Sequence, residues 1–238
     1  MFKENEMLYN ISMIITYDQI VEELKCASKK EKPFFNNIYN SKFLSLGTSI
    51  TDIKRIAKKY LNYEHQDSKF DYIELIIYYF YLNLIKNKKD IKKQIEFIFN
   101  NYKYIDSWAV VDTTYQQLTN IKFDDIKILL NSNLEFVMRY GIVAMLPLIK
   151  DGNNLNKIFS LLKNSDYYYV NMATGWLISY GFIYHFEKTY QYCLKCDLEI
   201  KILNIAIQKG IDSFRVSNEN KEKLKELRCK IKKHKIVC

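Results

Sequence analysis

The sequence predicts an all-α fold, an α-solenoid of stacked antiparallel helical hairpins, and three observations carry that expectation. Apolar residues recur at about 3.6-residue spacing almost throughout, where a strand would alternate every second residue. Only six glycines and two prolines interrupt the 238 residues, so helix breakers are scarce. The polar stretches between the periodic segments are short, which makes consecutive helices antiparallel neighbours. With 48% hydrophobic residues the chain can bury a substantial core. It reads as one domain over 1–238, ending in a basic helix at about 218–235.

In chain order the pattern places helices at 17–30, 51–62, 70–86, 90–102, 106–118, 124–131, 135–149, 154–163, 167–183, 185–195, 199–210 and 218–233. Thr51 with Asp52 opens the second helix and Asp71 the third, each a side-chain acceptor for the free N–H groups of a first turn. The third holds the most apolar run, YIELIIYYFYLNLI at 72–85, which is shorter than a membrane span and carries Glu74 and Asn83. In 106–118, Trp108, Val111, Asp112 and Tyr115 stand at i, i+3, i+4 and i+7, on one face. NSNLEF at 131–136 turns the chain between 124–131 and 135–149, and Asp151-Gly152 stops the latter ahead of 154–163. Ser165 and Asp166 cap 167–183, the helix of Trp176, and the last helix contains KEKLKELRCKIKKHK at 221–235.

The formal charge is +9, and eight Lys or Arg against two Glu in 221–235 supply six of those nine charges. That suits an anionic partner such as nucleic acid. A chain this rich in Lys, Asn, Ile and Tyr also follows from AT-rich coding, and the terminal segment reads equally as a solvated helix face with i to i+4 pairs. Five scattered cysteines, an odd number, argue against a disulfide framework and for a reducing cytoplasm. MFKENEMLYNISMII offers no clean signal sequence, so no membrane association is expected. CLKC at 193–196 lacks two further ligands at zinc spacing, and His65, His185 and His234 lie far apart, so no metal is expected. Neither a Gly-rich phosphate loop nor a Ser or Cys nucleophile signature is present, and no cofactor is expected.

What remains is Trp108 with Asp112, Arg139 in FVMRYGIVAML, and Trp176 in YYYVNMATGWLISYGF, on three helices; these are the only two tryptophans. Each residue has a plain reading, since large aromatics at helical spacing are usually core. Arg139 pairs Glu135 one turn back, or it pairs Asp112. Taken together, a carboxylate between indole faces can stabilise a sugar carrying positive charge while a nearby arginine holds a phosphate.

Four blocks in order, YIDSWAVVDTTYQQL, NLEFVMRYGIVAMLPLI, SDYYYVNMATGWLISYGF and NIAIQKGIDSFR, resemble the bacterial alkylpurine DNA glycosylases built from HEAT-like repeats, the AlkD type, and especially its shorter firmicute branch. The resemblance runs from about residue 43 to residue 228. It implies that Trp108 and Asp112 are the catalytic tryptophan and aspartate, that Trp176 is the second cleft tryptophan, and that Arg139, Lys209 and Arg215 contact DNA. It further implies hydrolysis of the N-glycosyl bond of N3- and N7-alkylated purines in base-excision repair, with the damaged nucleotide held against the protein and not flipped into a pocket. A cationic alkylpurine leaves as a neutral base, so the chemistry is undemanding. The chain departs from the family pattern at GTSITDIK (47–54), with no arginine at Ser49 and no helix-starting proline, and at Ser179, where arginine is frequent. Phe35 and Tyr39 are the candidates for an N-terminal aromatic contact. The expected protein is thus a monomeric glycosylase acting on duplex DNA. A non-catalytic binder of damaged or branched DNA and a protein-binding solenoid are the alternatives.

Overall fold

The structure, a computed structural model, describes residues 13–28, 39–66 and 69–236. The chain falls into two compact units, Met1–Lys86 and Asn87–Cys238. Both are built from α-helices joined by short turns, the all-α helical-repeat architecture that the periodicity predicts, with twelve α-helices among the described residues.

In the first unit β1 (Ile14–Thr16) runs into α1 (Tyr17–Ala27), where Thr16 and Gln19 form a capping box. β1 pairs in parallel with β2 (Glu64–Gln66), a departure from the all-helical reading. Three residues are too few to register as alternation, so periodicity cannot reveal such a pairing. α2 (Ile50–Lys59) is capped by Ser49, whose hydroxyl accepts from the Asp52 N–H at 3.1 Å and donates to Asp52 Oδ2 at 2.7 Å. The helix therefore starts one turn-position ahead of Thr51, and the serine that stands where the family has arginine is its cap. α3 (Ile73–Lys86) is buried on most sides. Its Glu74 is fully buried and accepts from Ser45 Oγ at 2.6 Å, Leu46 N at 2.9 Å and Gly47 N at 2.6 Å, which satisfies the carboxylate and fixes the approach to α2. Asp71, expected to open α3, has its carboxylate 3.2 Å from Lys69 Nζ.

The second unit holds α4 (Ile91–Asn101), α5 (Trp108–Thr114), α6 (Phe123–Leu130), α7 (Glu135–Ala144), α8 (Leu155–Leu161), α9 (Tyr168–Tyr184), α10 (Phe186–Lys195), α11 (Ile200–Asp212) and α12 (Asn218–Ile236). α5 is shorter than predicted and continues as a 3₁₀ turn, Tyr115–Gln117. α7 stops at Ala144 because Pro147 lacks an N–H and disfavours helix in the residue before it. In the NSNLEF turn Asn133 takes the left-handed conformation (φ 57°), which asparagine tolerates better than most residues.

α9 is the hub: it packs on α7 and α11, α7 packs on α5 and α6, and α12 lies on α10 and α11. Gly175 permits the close approach of α9 to α11, since a β-carbon there would stand 2.5 Å from Ile205 Cγ2. α12 carries Leu224, Leu227 and Ile231, all buried, at i, i+3 and i+7. Its basic residues therefore clothe one side of a helix that is part of the core.

Candidate active site

Ser107 opens α5 by accepting from the Ala109 N–H at 3.2 Å, and this start sets Trp108 and Asp112 one turn apart on the same face. α7 brings Arg139 beneath them, α9 contributes Tyr168, Tyr169, Met172 and Trp176, and α11 contributes Lys209. Together these eight residues line a cleft of about 440 Å³.

At its floor Arg139 grips Asp112 with a fork. Nε donates to Oδ1 at 2.9 Å and Nη2 to Oδ2 at 2.7 Å, while Nη1 donates to the Tyr169 carbonyl at 2.6 Å. The Arg139 side chain is 7% exposed and that of Asp112 18%, so the acidic partner is the more accessible of the two, and both line the cleft. This accounts for a carboxylate on an otherwise apolar helix face: it is bound bidentately, the strongest arrangement available to such a pair. Of the two partners open to Arg139 from the sequence, the structure selects Asp112. Glu135 instead accepts from the Tyr169 N–H at 2.7 Å.

Glu135 and Arg139, one turn apart on α7, thus hold the amide and the carbonyl of Tyr169 at the start of α9. Ser165, expected to cap this helix, accepts from the Tyr167 N–H at 3.1 Å, and the N-cap residue Tyr167 makes no side-chain capping bond. Its phenol donates to the Asn133 carbonyl at 2.8 Å. Below the pair, Tyr140 is fully buried against the Thr114 hydroxyl; burial pushes its phenol far above the ordinary range, opposed by the Thr114 hydrogen bond and helped by the charge of Asp112. Burial also raises the Tyr115 phenol, helped by Tyr180 and Asp112 and opposed by a hydrogen bond from Gln116. Both rings are neutral polar groups near neutral pH.

Trp108, Asp112, Arg139, Trp176 and Lys209 are therefore brought together. Arg215 is not on the cleft wall; its guanidinium lies over Tyr180 at 5.7 Å and Tyr184 at 4.8 Å, one and two turns beyond Trp176 on α9. Ser179 is buried with its hydroxyl on the Trp176 carbonyl at 2.6 Å and presents no side chain to the cleft. Tyr39 is buried in the first unit, and Phe35 lies outside the described residues. Three lining residues escaped the sequence reading: Tyr168, Tyr169 and Met172. The signal was present, since Tyr168, Met172 and Trp176 stand at i, i+4 and i+8, and Tyr168 is 64% exposed.

A larger groove of about 680 Å³ lies between α8 and α10, where Phe159 and Tyr192 stack at 4.0 Å. Its rim holds Glu187, Lys188 and Lys195, but no tryptophan and no fixed carboxylate, so chemistry and not size singles out the smaller cleft. Cys193 is buried and Cys196 partly so; among the described residues no group of three or more His, Cys, Asp or Glu is placed to hold a metal ion. No helix among them is long and apolar enough to cross a membrane.

Compared with known proteins, the chain matches a family model described as DNA alkylation repair enzyme over residues 20–182, a span that includes Trp108, Asp112, Arg139 and Trp176. None of the curated proteins and none of the solved structures matches it. With a fixed carboxylate in a cleft that two tryptophans also line and a family match over most of its length, this chain belongs to the DNA alkylation repair enzyme family.

Proposed function

We propose that the protein is a DNA glycosylase that removes N3- and N7-alkylated purines from duplex DNA. Family membership supplies the coarser statement, a role in DNA alkylation repair with DNA as the partner. The finer reading rests on one observation, the arginine-held carboxylate in a cleft that Trp108 and Trp176 also line.

The bond between C1′ and the purine nitrogen breaks heterolytically. Its electron pair goes to the base, which was cationic and departs neutral, and the sugar takes on oxocarbenium character. Water then adds at C1′ and releases a proton, leaving an abasic site. Asp112 stabilises the cationic sugar, and its value lies in a contact stronger in the transition state than in the bound substrate. Arg139 fixes the carboxylate in orientation, and each carboxylate oxygen has a second lone pair besides the one the guanidinium takes. The indoles pack against the deoxyribose, and the nucleotide stays at the surface without being flipped into a closed pocket. Lys209, on the cleft wall, takes a flanking phosphate in this reading.

The same geometry supports a second reading, a non-catalytic binder of damaged DNA, because Arg139 neutralises Asp112 and no cation stands at Ser179. Incubation of the protein with a duplex containing one N7-methylguanine separates the two. Free N7-methylguanine is expected; tight binding with no released base transfers the conclusion to the binder.

A further inference from the structure

The cleft does not end at Trp176. One turn further along α9, Tyr180 stands edge-on to the indole with ring centroids 6.1 Å apart and planes at 84°, and Tyr184 follows 6.2 Å beyond. The opposite wall also continues, from Asp112 on α5 into the 3₁₀ turn of Tyr115 and Gln116. Between them is a second hollow of about 350 Å³, lined by Tyr115, Gln116, Pro147 and Tyr180 with Lys150 at its exposed rim. Tyr115 in this hollow is three residues beyond Asp112 in the cleft, and Tyr180 one turn beyond Trp176, so the two hollows are neighbours along both walls.

Its lining joins the aliphatic and ring surface of Leu118, Ala144, Leu146, Pro147 and two tyrosines to the polar ends of Gln116 and Lys150. A base in a closed pocket would need a set of donors and acceptors matched to its edge, whereas the side-chain polar groups here are two phenol hydroxyls, one flexible amide and one ammonium at an open rim. A sugar–phosphate unit fits better: an apolar ring face for the deoxyribose and a mobile point charge for the phosphate. The position of Lys150 is set by its backbone, since the His185 ring nitrogen Nε2 is 2.9 Å from the Ile149 carbonyl and 3.2 Å from that of Lys150. Four residues of helix rise by about 6 Å, comparable with one sugar–phosphate repeat along a strand. Trp176 and Tyr180 are therefore spaced to meet successive units.

We propose that this hollow is the subsite for the sugar–phosphate unit adjacent to the reacting nucleotide on the same strand, with Lys150 on its phosphate and Tyr180 and Pro147 on its deoxyribose. The proposal deepens the glycosylase reading and rests on it only in requiring that a DNA strand occupies the cleft.

The test is a binding cycle on duplexes carrying a tetrahydrofuran abasic analogue, so no chemistry is needed. The wild type and Lys150→Ala are titrated against the unmodified duplex and against duplexes with a neutral methylphosphonate at each linkage within three nucleotides of the analogue. On unmodified DNA, Lys150→Ala is expected to weaken binding roughly fivefold, the size of one partly desolvated ion pair. At one linkage next to the analogue that loss should vanish, because the phosphate charge is already gone, while at more distant linkages it should persist in full. A loss that is the same on every duplex reduces Lys150 to general attraction and overturns the proposal, as does no loss at all or a wild type that binds no duplex. Binding with the predicted pattern but no release from an N7-methylguanine duplex would overturn the glycosylase reading alone.

Discussion

Asp112 and Arg139 are tied so closely that stability and function have to be read separately at this site. The guanidinium is 7% exposed and donates to three oxygens, so Arg139→Ala removes the fork and leaves a partly buried carboxylate unpaired. Breaking one half of a buried pair costs about 3–5 kcal/mol, and the 18% exposure of Asp112 puts this case toward the lower end. A melting temperature lowered by several degrees is expected, with excision lost as well. Arg139→Lys keeps the charge but not the fork; it should recover much of the stability and little of the activity, because one ammonium cannot orient both oxygens. If Arg139→Ala melts like the wild type and only weakens DNA binding, the arginine is a phosphate contact and not a positioning residue. The pairing was half legible: helical spacing showed an acidic residue on an apolar face, but choosing between Glu135 and Asp112 needed the third dimension.

Among the elements, α9 shows how local rules are overridden. Sequence favoured Ser165 as its cap, yet the carboxylate of Glu135 on α7 reaches across to the Tyr169 amide. Glu135→Ala should therefore cost about 1 kcal/mol, the size of a lost helix cap, and lower the melting temperature by about 2–4 °C for a chain of this size. Since α9 carries Tyr168, Met172 and Trp176, excision should fall further than stability does; calorimetry beside an excision assay checks both, and an unchanged melting temperature would remove the cap assignment. Helix existence was readable because the apolar period is strong in segments such as 51–62 and 185–195, while 70–86 and 167–183, apolar on most sides, declared themselves by length and the absence of proline. The β1–β2 pairing was not, being three residues long, and neither was the end of α5 or α7, where tertiary packing and Pro147 decide the last turn. In α12 the charge run drew attention from the stripe of Leu224, Leu227 and Ile231, which was there to be read and which makes the helix part of the core.

For the whole molecule the formal +9 charge sets the expected response to salt. DNA affinity should fall steeply between low and moderate salt, because each phosphate contact releases condensed counterions. Removing α12 would expose core leucines, so the cleaner probe reverses its exposed charges: Lys225→Glu with Lys232→Glu should weaken binding to all sequences alike and flatten the salt dependence. Affinity and salt slope unchanged by that pair would make α12 a structural helix only.

The central claim is that the Asp112 carboxylate, held by Arg139 in the cleft that Trp108 and Trp176 line, promotes loss of the alkylated base. Asp112→Asn keeps the shape and one acceptor for the guanidinium while deleting the charge. The decisive measurement is the single-turnover rate of N7-methylguanine release by this variant and the wild type at saturating enzyme, with DNA affinity measured alongside. The account predicts release slowed by about 10²-fold or more, the usual effect of removing one oriented electrostatic contact, at nearly unchanged affinity. Release at the wild-type rate from a folded Asp112→Asn protein would contradict it.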